Sequence, residues 1–230
     1  MHRKQIILIA LLVIIMLSIS GWMIFRGVHL AQNSFLTGKP PENMLEALVP
    51  QTIDPAKMHP PAVRPADPVR YGNVTSSATV IVFGDFECAS CAELVTTLNT
   101  IIPTYNGKVR LVWRDLPITE QHSNAMNAAV LARCAHTQEQ FWQAHDALFQ
   151  TTKLNSFTLQ TIINRLNLNK AAFSACQSDP KIRQAIELDV KTAAADGIQT
   201  TPFIFIGTKA INGSITADQL KKEIDLFLKS

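Results

Sequence analysis

Hydrophobicity is distributed along the chain in three regimes. The first is an unbroken apolar run, "IILIALLVIIMLSISGWMIF", which carries no charge from Ile6 to Phe25. As a helix rising about 1.5 Å per residue it matches a hydrocarbon layer of roughly 30 Å. Arg3 and Lys4 precede it and Trp22 lies near its far end. That arrangement favours an inside N-terminus, with everything beyond Phe25 outside the cytoplasm. Arg26 weakens the charge asymmetry without reversing it. A signal peptide cleaved near Ser18-Ile19-Ser20 is the alternative, and both readings put the remainder in an oxidising compartment.

The second regime, residues 26–70, lacks a sustained period. Eight of the twelve prolines fall between Pro40 and Pro68, as in "PAKMHPPAVRPADP". Such a stretch is excluded from regular helix and inner strand and reads as an extended stalk. One piece interrupts it: in "PENMLEALV", residues 41–49, Met44, Leu45, Leu48 and Val49 share a helical face after a proline start. That face is expected to be a turn of helix in the stalk, or a surface for docking or for a second copy of the chain.

From Tyr71 the pattern becomes that of a folded α/β domain. "ATVIVFGD" predicts a buried strand, "SCAELVTTLNTIIPTY" a helix disturbed by Pro103, and "KVRLVWRD" a second strand. A helical block follows from His122 to Asp196, with apolar faces Met126/Val130/Cys134, Phe141/His145/Leu148 and Ile182/Ile186/Val190/Ala193. "PFIFIGTKAING" predicts a hairpin turning at Gly207-Thr208. Thr216-x-x-Gln219 is a capping box opening a last helix striped by Leu220, Ile224 and Leu228. Strand–helix–strand suggests a parallel crossover, and the economical arrangement is an open sheet with helices on its faces. The expected segments are an anchor at 1–25, a stalk at 26–70, a domain at 71–120 and 197–230, and a helical insertion at 121–196.

Composition adds limits. With 230 residues, 47% hydrophobic, the chain can bury one sizeable core. A net charge of +3 without a basic block gives no reason to expect nucleic acid as a partner. Four cysteines are few for a disulfide-scaffolded protein.

The chemistry concentrates in "FGDFECASC", residues 83–91. Cys88 falls where a strand gives way to a helix, so unpaired N–H groups and the helix dipole would stabilise its thiolate. Cys91 is placed to resolve a mixed disulfide, and Ala89-Ser90 is small enough for the tight turn. Zinc would need two further ligands, and Cys134, Cys176 and His136 lack a zinc-knuckle spacing, so no metal is expected. A purely structural Cys88–Cys91 bridge would constrain too little chain to matter. The second landmark is "GIQTTPFIFIG". A cis Thr201–Pro202 bond would leave Thr201's backbone free to pair with an extended peptide, whereas a trans proline would merely open the strand.

Taken in order, "VIVFGDFECASC", "LPI" followed by "HSNAMNAAVLARCA", "EQFWQAHDALF", "AAFSACQSD" and "GIQTTPFIFIG" resemble the DsbA-like thiol–disulfide oxidoreductases of the thioredoxin superfamily, over residues 71–229. The resemblance implies a thioredoxin fold with an inserted helical domain. It implies Cys88 as nucleophile, Cys91 as resolving thiol, Ala89 and Ser90 as their neighbours, a cis Pro202 beside them, and Thr201 touching the substrate. It supports a structural disulfide between Cys134 and Cys176, worth roughly 4 kcal/mol by loop entropy. Val82 stands where many thioredoxins carry a buried acid. The nearest acids here are Asp85 and Glu87, either a proton relay or solvated, and Glu87 is read as solvated. Ala-Ser replaces the histidine-containing dipeptide of strong oxidants, and threonine before the proline also occurs in isomerase-like and reductase-like relatives. His122, His136 and His145 are read as surface or packing residues, and Trp113, Phe141 and Trp142 as core or interface aromatics.

The expected protein is a periplasmic dithiol oxidase needing no cofactor, held in the inner membrane by residues 6–25 and acting on exported cysteine-containing proteins. A membrane redox partner, DsbB-like for an oxidase or DsbD-like for a reductase, would restore it. The alternatives are a disulfide isomerase or reductase, possibly a homodimer through residues 41–49, and a non-enzymatic binding or assembly module with an inert Cys88.

Overall fold

The structure, a computed structural model, describes Trp22, Asp54 and residues 58–230. The expected membrane segment, Trp22 apart, and the 41–49 piece lie outside the described residues. Among the described residues no helix is long and apolar enough to cross a membrane.

Two parallel strands form the centre. β2 (Ala78–Gly84) and β3 (Val109–Asp115) pair from Ala78 opposite Val109 to Gly84 opposite Asp115. The near-continuous apolar sequence of β2 reflects burial on both faces, while β3 carries Arg110, Arg114 and Asp115 among its apolar residues. Val80, Val82, Leu111 and Trp113 enter one core, while Ile81, Phe83 and Val112 enter the other. The crossover is α1 (Ala89–Ile101), which buries Leu94, Val95 and Leu98. Pro103 closes it as a 3-10 turn, Ile102–Tyr105, because proline supplies no N–H to continue the helix.

The helical insertion comprises α2 (Ala125–His136), α3 (Phe141–Phe149), α4 (Ser156–Arg165), α5 (Lys170–Ser178) and α6 (Pro180–Ala195). Asn155, Asn169 and Asp179 cap the last three with side-chain oxygens. A disulfide joins Cys134 of α2 to Cys176 of α5, 42 residues apart in sequence. The chain returns as β4 (Phe203–Ile206), antiparallel to β2, and β5 (Lys209–Asn212). It ends in α7 (Ala217–Phe227), opened by the Thr216–Gln219 capping box. Gly207 turns the hairpin at φ 54°, and a Cβ there would meet the Phe227 ring at 2.1 Å. Glycine is therefore needed both for its backbone and for the helix packed above it.

The proline-rich segment ends earlier than the expected boundary at residue 70. Met58, Val63 and Val69 pack on the second core, and β1 (Val69–Arg70) adds an antiparallel edge to β3. The sheet order is β1-β3-β2-β4-β5. Buried charges fasten this segment. Arg114 donates to Asp67 at 2.8 Å and to the Ala62 carbonyl at 2.7 Å. Arg133 bridges Asp115 and Asp189, and Arg64 bonds both Asp67 and Asp189. Three arginines thus meet three aspartates, joining the incoming segment to β3, α2 and α6. Such charges are tolerated inside because each is paired. Asp189 is fully buried at the centre of the set. Asp189→Ala would leave Arg64 and Arg114 sharing Asp67 and Arg133 only Asp115, an excess of buried positive charge, and is expected to lower unfolding stability by about 3–5 kcal/mol in denaturant titration.

Candidate active site

The site begins where β2 runs out. A Cβ on Gly84 would lie 2.2 Å from the Trp113 ring, so glycine lets that indole close over the strand end. Phe86 then drops into an aromatic cluster, with ring centroids 5.2 Å from Trp113, 5.7 Å from His145 and 5.1 Å from Phe149. His145 is buried among these rings, and burial pushes its imidazole below the usual histidine range. It is a packing residue, as read from the sequence.

Both acids of the loop are hydrogen-bonded into it, Asp85 buried and Glu87 half-buried. Asp85 is 1% exposed. Its Oδ1 accepts the Glu87 N–H at 2.7 Å, and its Oδ2 accepts the Ile118 N–H at 2.7 Å and His122 Nδ1 at 2.9 Å. Glu87 is half-exposed, as a solvated group would be, and also takes a partner, its Oε2 accepting the Asn124 N–H at 2.6 Å at the start of α2. The Asn124 amide meets Glu87 Oε1 and also donates to the Leu154 carbonyl at 3.1 Å. Both carboxylates therefore tie the loop before Cys88 to the β3–α2 connection.

This places Cys88 as the N-cap of α1, in extended conformation. Its Sγ accepts the Cys91 N–H at 3.3 Å, lies 3.2 Å from Ser90 Oγ and 3.4 Å from the Thr201 carbonyl oxygen. The hydrogen bond from the Cys91 side chain is the largest influence on Cys88. It outweighs the desolvation that opposes ionisation, and with the side chains of Ser90 and Thr201 and the Cys91 N–H it brings the thiol down to about 5. Cys91 behaves oppositely. It is fully buried, and burial followed by its bond to Cys88 pushes it far up. Both are free cysteines, so one stable thiolate faces one obstinate thiol.

The Thr201–Pro202 bond is cis, and Pro202 is buried beside β4. Ser214 donates to the Ser90 carbonyl at 3.2 Å, joining the first turn of α1 to the chain beyond β5. Two grooves meet at Cys88. One, about 510 Å³, runs past Ser90, Glu93, His122 and Thr201. The other, about 320 Å³, lies towards Phe149 and Leu154 of the insertion. The structure thus brings together Asp85, Glu87, Cys88, Ala89, Ser90, Cys91, Thr201 and Pro202, while Cys134 and Cys176 serve the insertion. Among the described residues no three His, Cys, Asp or Glu side chains gather as a metal site. His122 was missed as a site residue, since helical periodicity says nothing of a partner 37 positions earlier.

A Cys-x-x-Cys pair at a strand-to-helix junction, facing a cis-proline loop across a mixed five-stranded sheet, defines a thioredoxin-fold dithiol protein. Residues 65–226 match the family described as Thioredoxin, and the chain belongs to that family. It is 29% identical over 212 residues to a Na(+)/H(+) antiporter NhaA 3 of Salinispora tropica, covering 90% of this chain. The chain spans 30% of that antiporter's length. It is 26% identical over 169 residues to a probable disulfide bond formation protein D of Bacillus anthracis, covering 69% of this chain and 77% of that protein. A solved thioredoxin-like oxidoreductase from Silicibacter pomeroyi superposes with a TM-score of 0.66 at 24% identity, over 73% of this chain and 95% of the other, a likeness of fold.

The Cys88 thiol titrates near 9.0 when unperturbed and near 5 in the fold. Its depressed value stabilises the folded dithiol form fully above about pH 9, and this contribution fades as pH falls through about 5. The disulfide form lacks that titration. The melting temperature of the dithiol form relative to the disulfide form is therefore expected to rise steadily from pH 5 to 9. Iodoacetamide modification of Cys88 should show a midpoint near pH 5.

Proposed function

We propose that this chain is a thiol–disulfide oxidoreductase of the cell envelope that acts as a dithiol oxidant through Cys88 and Cys91. The observation that carries this reading is the Cys88 sulfur at the N-cap of α1, 3.3 Å from the Cys91 N–H and 3.2 Å from the Ser90 hydroxyl. A stabilised thiolate favours the dithiol form, and a couple whose dithiol form is favoured draws electrons from its substrates.

The exchange starts from the Cys88–Cys91 disulfide. A substrate thiolate attacks Cys88 Sγ, since Cys91 is fully buried and out of reach. The new bond joins the substrate sulfur to Cys88, and the Cys88–Cys91 bond breaks. Cys91 leaves with the electron pair and takes up a proton, the form its surroundings favour. A second substrate thiolate then attacks the substrate sulfur of the mixed disulfide, and Cys88 leaves as a stable thiolate. The substrate loses two electrons and gains one disulfide, while the protein gains two electrons. Thr201, beside the cis proline, presents backbone to the substrate chain at the attacked sulfur.

The substrates we assign are exported proteins carrying cysteine pairs, and a DsbB-like membrane oxidant removes the two electrons. The anchor we assign is the apolar segment 6–25, with the domain on the periplasmic face of the inner membrane. The Cys134–Cys176 disulfide supports an oxidising compartment. Cys88→Ala is expected to abolish dithiol oxidation of a reduced peptide. In Cys91→Ala the Cys88 thiolate should attack a disulfide-bonded peptide, expelling one peptide thiolate, and the mixed disulfide should accumulate on non-reducing gels because no Cys91 thiol is left to displace it. Equilibration with glutathione should give a potential well above the thioredoxin value of about −270 mV, towards about −120 mV. A value near thioredoxin would assign the chain to reduction instead.

A further inference from the structure

The cysteines enclose Ala89-Ser90, which offers the Cys88 thiolate no cation. The groove of about 510 Å³ beside that sulfur is lined by Glu93, Gln121, Gln199 and threonines, with no lysine or arginine among the described residues that line it. The groove on the insertion side carries Lys153, whereas in this one His122 is the group that can carry positive charge, and it comes from a different part of the chain. We propose that His122, held on the β3–α2 connection by buried Asp85, is a positioning residue whose imidazolium supplies the charge that stabilises the Cys88 thiolate. The inference rests on the exchange reading of Cys88 given above.

The geometry fixes what the ring can do. Nδ1–H donates to Asp85 Oδ2 at 2.9 Å, so further protonation takes place on Nε2. The side chain is 25% exposed while the Asp85 side chain is fully enclosed, which leaves the ring partly open to the groove and anchored from behind. Asp85 in turn is immobilised by the Glu87 and Ile118 N–H groups. The charged groups around the ring are Asp85 and Glu87 from the loop before α1, Cys88 at its N-cap and Glu93 from its first turns. Partial burial opposes protonation of His122, but the bond and charge of Asp85, with Cys88 and Glu87, leave it above the usual histidine value. Protonated His122 favours the thiolate, hence the dithiol form, and makes the couple more oxidising. As pH rises through the His122 titration that advantage is lost.

Linkage is reciprocal, which gives a test needing no variant. In the full-length chain the His122 ring can be titrated by NMR in the disulfide and dithiol forms. Its protonation constant is expected to be at least threefold larger in the dithiol form, where the neighbouring thiolate exists. Equal midpoints in the two forms would overturn the proposal. A second arm uses His122→Asn, whose amide can still donate to Asp85 without carrying charge. At pH 6 its oxidising equilibrium constant against glutathione should fall about threefold to tenfold, the upper end corresponding to ~30 mV. The gap should narrow towards pH 8. An unchanged constant from pH 5 to 8 would also overturn it, and if this variant fails to fold the wild-type titration decides alone. Wild-type protein that exchanges no disulfide with glutathione would remove the functional reading itself. Exchange with redox-independent His122 titration would remove only the role given to His122.

Discussion

A single buried carboxylate holds the site in shape. Asp85 leaves β2 and spends both oxygens at once, on the Glu87 N–H, the Ile118 N–H and the His122 ring. An unpaired carboxylate at that depth would be costly to bury, so the loop closes only where all of these donors converge. Their convergence sets the path from strand to helix, and that path makes Cys88 the N-cap of α1. Glu87 extends the same logic to the helical insertion by capping Asn124. The acids before the cysteines thus act first as fasteners, and whatever they contribute to proton movement acts through the groups they hold.

The two sulfurs differ because one turn of helix separates two environments. Cys88 meets N–H and O–H donors and the mouths of two grooves, which together favour its anion. Cys91, a turn further along, is enclosed by the sheet and the cis-proline loop, and burial there penalises charge. In thiol–disulfide exchange the accessible sulfur with the lower pKa is both the better target and the better leaving group. Cys88, 6% exposed against 0% for Cys91, is both the less enclosed and the more acidic of the two.

Beneath the loop, two supports of different chemistry stiffen the scaffold. On one side Phe86 sits in a nest of Trp113, His145 and Phe149 rings, which carries contact from the insertion to the residue just before Glu87. On the other, three arginines and three aspartates bind the segment entering at Met58 to β3, α2 and α6. The aromatic nest tolerates small adjustments, whereas the ionic set functions only when complete. Chain that looks like free linker in sequence is in this way drawn into the domain.

The sequence by itself determined the elements and the place of the two thiols between them. Buried parallel strands announce themselves as β-branched runs, Pro103 and the Thr216–Gln219 box mark helix ends, and Cys88-x-x-Cys91 marks the strand-to-helix junction, because each signal acts within a few residues. Tertiary structure alone decided the partners of the charged groups. Asp85 finds His122 across 37 positions, Arg64 finds Asp189 across 125, and β1 joins β3 through only two residues. Glu87 looked solvated for the same reason that Asp67, Arg114, Asp115 and Arg133 gave no sign of burial. A charge is buried only if a mate arrives from elsewhere in the chain, and local periodicity holds no information about that arrival.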